Sequence, residues 1–186
     1  MLDPVETRPI TAEDVLRRNS PWRECELWDG LPLVREPAGG QAEAVAARIV
    51  APLGLHVRER ALGWTFMSSQ GFLLARDPDR MLASDGAYVS KERLPRVPEQ
   101  DFVPLAPDFL IEVRSPDVTW EQTVMRCGLW ITHGAGIAWA VEPLARKVAV
   151  FRADGTSEVL EGEGKASAAP VLPDFQVDLA DLFEGL

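Results

Sequence analysis

Phe109-Leu-Ile-Glu-Val-Arg-Ser115 is the stretch on which the reading of this chain turns. Side chains alternate across a strand, so Phe109, Ile111 and Val113 share one face while Leu110, Glu112 and Arg114 share the other. The first face is core. The second sets a carboxylate in the middle of an apolar strand, with a guanidinium two residues on. Burying an unpaired carboxylate costs on the order of several kcal/mol, so Glu112 must be paired, protonated or bound to a cation. A plain Glu112–Arg114 ion pair at the strand end is the reading that needs no chemistry.

Outward from this strand the pattern is mixed. Thr119-Trp-Glu-Gln122 is a capping box, and it predicts a helix to about His133, stopped by Gly134 and Gly136. Ile137–Val141 and Lys147–Phe151 read as strands, followed by an Asp154-Gly155 turn and a further short strand. Upstream lie Trp64–Met67, Phe72–Ala75 and a third strand around Ala83–Val89, the last joined to Asp108 by a proline-rich loop. Val45, Ile49, Val50, Leu53 and Val57 recur at helical spacing, with Pro52 and Gly54 predicting a kink or an early stop. Glu24–Trp28 and Leu31–Arg35 flank Asp29-Gly30, a hairpin signal, and Thr11 with Asp14 begins a first helix. Together these predict an α/β fold, a mixed central sheet flanked by helices.

Composition narrows the class. The chain has 186 residues, 46% of them hydrophobic and 26% charged, an ordinary globular balance read as one domain spanning 1–186. No apolar run approaches the roughly 20 residues that span a bilayer, and the start of the chain does not read as a secretory signal. Cys25 and Cys127 are too few for a disulfide framework and read as buried and inert, which points to the cytoplasm. The net charge of −10 is uneven: from Asp154 onward eight acids face only Lys165, an acidic C-terminal extension of about 154–186. The remainder, at −3, is nearly balanced, so basic residues there are free to cluster. Phosphate-loop, H-E-x-x-H and G-x-S-x-G motifs are all absent from the sequence.

Two further acids stand beside Glu112 as candidates. Asp85 lies in Leu82-Ala-Ser-Asp-Gly-Ala-Tyr-Val89, where it is either a carboxylate inside a strand or the first residue of an Asp-Gly turn. Glu26 lies in Cys25-Glu-Leu-Trp28, just before the hairpin. Three carboxylates converging from separate elements would raise one another's pKa unless a cation neutralised them, so convergence implies a hard divalent ion.

The run Glu26-Leu-Trp-Asp-Gly30, Ser84-Asp85, Leu110-Ile-Glu112-Val-Arg-Ser-Pro116 and Ala138-Trp-Ala-Val-Glu-Pro143 resembles the Uma-two family of bacterial endonucleases. That family belongs to the PD-(D/E)xK restriction-endonuclease-like superfamily, and the likeness extends to Leu172-Pro-Asp-Phe175 and Leu179-Ala-Asp-Leu-Phe183. The resemblance implies a restriction-endonuclease-like fold and a Mg²⁺- or Mn²⁺-dependent hydrolase of DNA phosphodiester bonds. It makes Asp85 and Glu112 metal ligands and Glu26 an auxiliary acid that helps hold the ion from outside them, with Ser84 where the family usually has proline. The family's lysine positions hold Arg114 and Arg126, and Gln122 shares a helix face with Arg126. Arginine steadies phosphate oxygens well but does not act as a base, since its pKa stays above about 12. The alternative implied by that exchange is a catalytically silent member that binds or assembles. A homodimer is expected as well, because exposed edge strands of such domains are often covered by a second copy.

Overall fold

The computed structural model describes residues 8–34 and 39–186; the Arg35 end of the expected hairpin and residues 1–7 lie outside the described residues. The decisive stretch forms β7 (Phe109–Val113), buried at every position. It lies inside a six-stranded sheet, ordered β10 (Ser157–Glu161), β9 (Lys147–Arg152), β8 (Ile137–Glu142), β7, β6 (Gly86–Ser90) and β3 (Gly63–Met67). β7 and β8 run parallel, and the other neighbours are antiparallel, so the sheet is mixed. A parallel pair needs a crossover, and α3 (Trp120–Thr132) supplies it. Its capping box is closed in both directions between Thr119 and Gln122.

The alternation in β7 sorts the two faces. Phe109, Ile111 and Val113 pack with α2 (Gly40–Glu59), while Leu110 packs with Trp130 of α3. α2 runs through Pro52 and Gly54 without the early stop their presence predicts. Its buried stripe of Val45, Ile49, Leu53 and Val57 explains why: packing over four turns outweighs the one backbone bond that proline removes. The acidic C-terminal segment joins this same core. It contributes β11 (Lys165–Ser167), β12 (Gln176–Asp178) and α4 (Leu179–Leu182), and Phe175 stacks on Trp139 with ring centroids 6.3 Å apart.

A second sheet lies outside what the sequence pattern predicts. It has four antiparallel strands in the order β2 (Leu31–Val34), β1 (Cys25–Trp28), β5 (Arg80–Leu82) and β4 (Phe72–Ala75). The expected strand around Ala83–Val89 starts only at Gly86, as β6 of the large sheet; Ala83-Ser84-Asp85 is instead a three-residue link from β5 of the small sheet. Leu82 and Ala87 flank the link and enter one apolar cluster, so the hydrophobic string hides the change of sheet. The turn between β1 and β2 is the predicted one, with Asp29 at φ 52° and Gly30 at φ 72°. A side chain on Gly30 would also meet Pro9, whose Cβ lies 2.3 Å from the position a Cβ would take. α1 (Ala12–Leu16) closes the far face of the small sheet over Leu27, Leu73 and Met81.

Candidate active site

The site forms where the two sheets and α3 meet. Alternation along β1 sends Leu27 toward α1 and Trp28 toward α3, so Glu26 points the same way as Trp28. There it reaches α3. Arg126 Nη1 donates to Glu26 Oε2 at 2.8 Å and Nη2 donates to Oε1 at 2.9 Å, a bidentate pair. The backbone N–H of Ala83 also donates to Glu26 Oε1, at 2.8 Å. From β7, Glu112 meets the same guanidinium: Nε donates to Oε2 at 3.1 Å and Nη2 to Oε1 at 3.2 Å. Arg126 Nη2 donates further to the carbonyl of Ala83 at 3.0 Å. One arginine thus ties β1, the inter-sheet link and β7 together. The far end of α3 is held to the small sheet by Arg80, which bonds Asp29 at 2.6 Å and meets His133 Nε2 at 3.1 Å.

Asp85 sits at the end of that link. Its N–H donates to Ile111 O at 3.1 Å, and its Oδ2 accepts the N–H of Val113 at 2.7 Å. The backbone of β7 therefore places Asp85 alongside Glu112, and both line one cleft of about 320 Å³ with Glu26 and Arg126. Glu26 and Asp85 also line a second cleft of about 350 Å³, which carries Glu24, Glu43 and Arg23.

Trp130, one turn beyond Arg126, belongs to this site and was not singled out by sequence reasoning: its indole N–H donates to Glu112 Oε1 at 2.6 Å. The signal was available in the i, i+4 spacing from Arg126. Two candidates lie elsewhere. Arg114 does not pair with Glu112; past the end of β7 it bonds Glu142 at 3.1 Å and the carbonyl of Val118 at 2.8 Å, beside a different cleft. Gln122 is exposed, and its Oε1 accepts the N–H of Thr119 at 2.7 Å. The capping box read from the sequence uses the side chain that was also a candidate for the site.

Electrostatics follow from burial. Burial pushes the Glu112 carboxyl above its ordinary value; Arg126 opposes this, and the nearby charges of Asp85 and Glu26 add to it. Burial works against the charge on Arg126, yet Glu112 and Glu26 raise its pKa well above the usual arginine range. The Cys127 thiol is raised well above normal by its burial, so it stays protonated and inert.

With this geometry in view, comparison with known proteins places the chain. The family model described as "Uma2: Putative restriction endonuclease" matches residues 12–180. The chain belongs to the Uma2 family. Membership sets it among proteins of the nuclease class, and the matched span contains Glu26, Asp85, Glu112 and Arg126. No curated protein matches it. Among solved structures it is similar to the "Crystal structure of a putative nuclease belonging to DUF820 from Anabaena variabilis ATCC 29413", at 20% identity and a TM-score of 0.79, with 94% of this chain and 98% of that one covered. The likeness confirms the fold.

Proteins of this superfamily use divalent ions, and the residues of this Uma2 chain fit one in a limited way. Among the described residues no group of three or more His, Cys, Asp or Glu side chains is arranged to hold a metal. Glu26 is bound at both oxygens by Arg126 and by the Ala83 N–H, which sets it outside a ligand set. Asp85 and Glu112 remain, two hard oxygen donors on one cleft. Glu112 Oε2 accepts a single bond, from Arg126, and so keeps acceptor capacity. Two carboxylates with the rest of the shell from water and phosphate is a donor set that suits Mg²⁺.

Proposed function

We propose that this Uma2 chain is a Mg²⁺- or Mn²⁺-dependent endonuclease that hydrolyses DNA phosphodiester bonds at the cleft between Asp85 and Glu112. The observation that supports it is the joint lining of that cleft by Asp85, Glu112 and Arg126, from the inter-sheet link, β7 and α3. A divalent ion held by Asp85 and Glu112 would offset the charge developing on phosphorus and make water nucleophilic near neutral pH. The chain's own residues do the rest. The Val113 N–H orients Asp85 and the Trp130 N–H orients Glu112, so both carboxylates are set before substrate arrives. Arg126, permanently charged, lines the cleft and would steady phosphate oxygens as its bond to Glu112 yields; Glu26 anchors Arg126 rather than binding the ion. Among the described residues, the two clefts, which share Glu26 and Asp85, carry six acids, Glu24, Glu26, Glu43, Asp85, Glu112 and Asp117, against Arg23 and Arg126. Such a surface repels nucleic acid until cations screen it, which favours a metal-dependent encounter.

Purified chain with Mg²⁺ or Mn²⁺ and plasmid, linear or single-stranded DNA tests the proposal. Cleavage is expected, with Glu112→Ala slower by about 100-fold or more, the scale of losing a group that stabilises the transition state. Absence of cleavage, or equal rates in the variant, removes it. A second reading, a catalytically silent binding module, is favoured by one observation: Arg126 bonds Glu26 and Glu112 together. A folded chain that binds no divalent ion by calorimetry near pH 7 would support that reading. We further expect a cytoplasmic homodimer, whose stoichiometry sedimentation velocity decides.

A further inference from the structure

We infer that Arg126 is a resident counter-ion that competes with a divalent ion for Glu112, so that the site takes up an ion only as the guanidinium gives way. The inference deepens the reading above and rests on it only for where the ion sits. All three guanidinium nitrogens of Arg126 are committed, Nε to Glu112, Nη1 to Glu26, and Nη2 to Glu112, Glu26 and the Ala83 carbonyl. The only oxygen of Glu112 with capacity for an ion, Oε2, is the one Arg126 Nε already occupies at 3.1 Å. An ion arriving there shares that oxygen with a cation at hydrogen-bond distance, and like charges so close disfavour each other.

The guanidinium does not slip aside without cost. Its bidentate pairing with Glu26 fixes the plane of the fork, and the Ala83 carbonyl holds the same nitrogen from the inter-sheet link. About a quarter of the side chain, 24%, is open to solvent, which leaves the cleft as its exit. A lysine in its place would keep the charge but not the fork. Its point charge on a flexible stem cannot bridge two carboxylates in a plane, so it would yield to an ion more readily.

The test measures Mn²⁺ binding by calorimetry on the full chain and on Arg126→Lys and Arg126→Gln, each confirmed folded by circular dichroism. Lysine keeps a buried positive charge, and glutamine removes it, so the two protect against a single misfolding variant. Both variants are expected to bind Mn²⁺ at least tenfold more tightly than the parent, and adding Glu112→Gln to either is expected to abolish the gain. Parent affinity equal to that of the variants, or a gain that survives Glu112→Gln, overturns the inference. DNA cleavage is scored separately. A parent that fails to cut while its variants bind Mn²⁺ more tightly than it does overturns the nuclease reading and leaves the competition intact; a parent that cuts and binds as tightly as its variants does the reverse.

Discussion

Glu112 keeps only 4% of its surface in contact with solvent, and it lies beside two other acids while a single arginine offsets its charge. Its folded pKa is raised, so its contribution to stability is complete below the ordinary carboxylate range and is lost as pH rises through the raised value. Glu112→Gln removes that titration and keeps an oxygen for the Trp130 N–H. The variant is expected to match the parent near pH 4 and to melt at a higher temperature than the parent at pH 8, where a buried carboxylate must carry its charge. Thermal melts at the two pH values check it; an advantage that shrinks toward pH 8 contradicts the raised pKa. Trp130→Phe keeps the ring and loses the 2.6 Å bond to Glu112, and is expected to cost about 1–3 kcal/mol in urea unfolding. At this scale the sequence showed that Glu112 needed a partner. Which arginine answers was not legible, because Arg114 is near only in sequence, while Arg126 is brought in by the packing of α3.

β6 begins at Gly86, immediately after Asp85, and α2 packs directly over it. A Cβ there would stand 2.3 Å from Val50 Cγ2 and 3.3 Å from Ile111 Cγ1. Val50 is short and β-branched, so it has little room to yield, and Gly86→Ala is expected to destabilise by about 1–3 kcal/mol. Val50→Ala in the same chain should recover part of that loss in chemical denaturation, since the collision is between these two positions. α1 is held differently. Arg8 donates to Asp14 at 2.6 and 2.9 Å, and with the Thr11 N–H it holds the Asp14 carboxyl well below the usual carboxylate range. A depressed folded pKa stabilises above the ordinary carboxylate value and is lost as pH falls through the lowered one. Asp14→Asn should therefore lower stability at pH 7 and narrow its gap to the parent as pH falls below about 4, measured by melts across that range. The capping boxes of α1 and α3 were legible as local four-residue patterns. The change of sheet at Ala83-Ser84-Asp85 was not, because apolar residues on both sides of it face one shared core.

Across the whole molecule the acidic C-terminal segment and the large sheet share one apolar cluster, in which Phe175 lies 6.0 Å from Phe109 and stacks on Trp139. Removing a buried aromatic ring costs about 3–5 kcal/mol, and Phe175→Ala is expected to lie in that range. It is also expected to lower a single unfolding transition seen alike by tryptophan fluorescence and far-ultraviolet circular dichroism. Two separated transitions would mean that residues 154–186 unfold on their own and that the chain is not one domain.

By itself the sequence determined the local matters: the β1–β2 turn at Asp29-Gly30, the two capping boxes, the two-faced strand at Phe109–Val113 and the burial of a carboxylate within it. Those depend on residues within a few positions of one another, where periodicity and backbone preference act directly. Tertiary structure alone decided that β5 and β6 belong to different sheets, that Gln122 is spent on its helix cap and Arg114 on Glu142, and that Arg126 and Trp130 converge on Glu112. These choices are made by long-range burial, because a charge in a low-dielectric interior takes whichever partner the packing brings within hydrogen-bond reach, however distant in the chain.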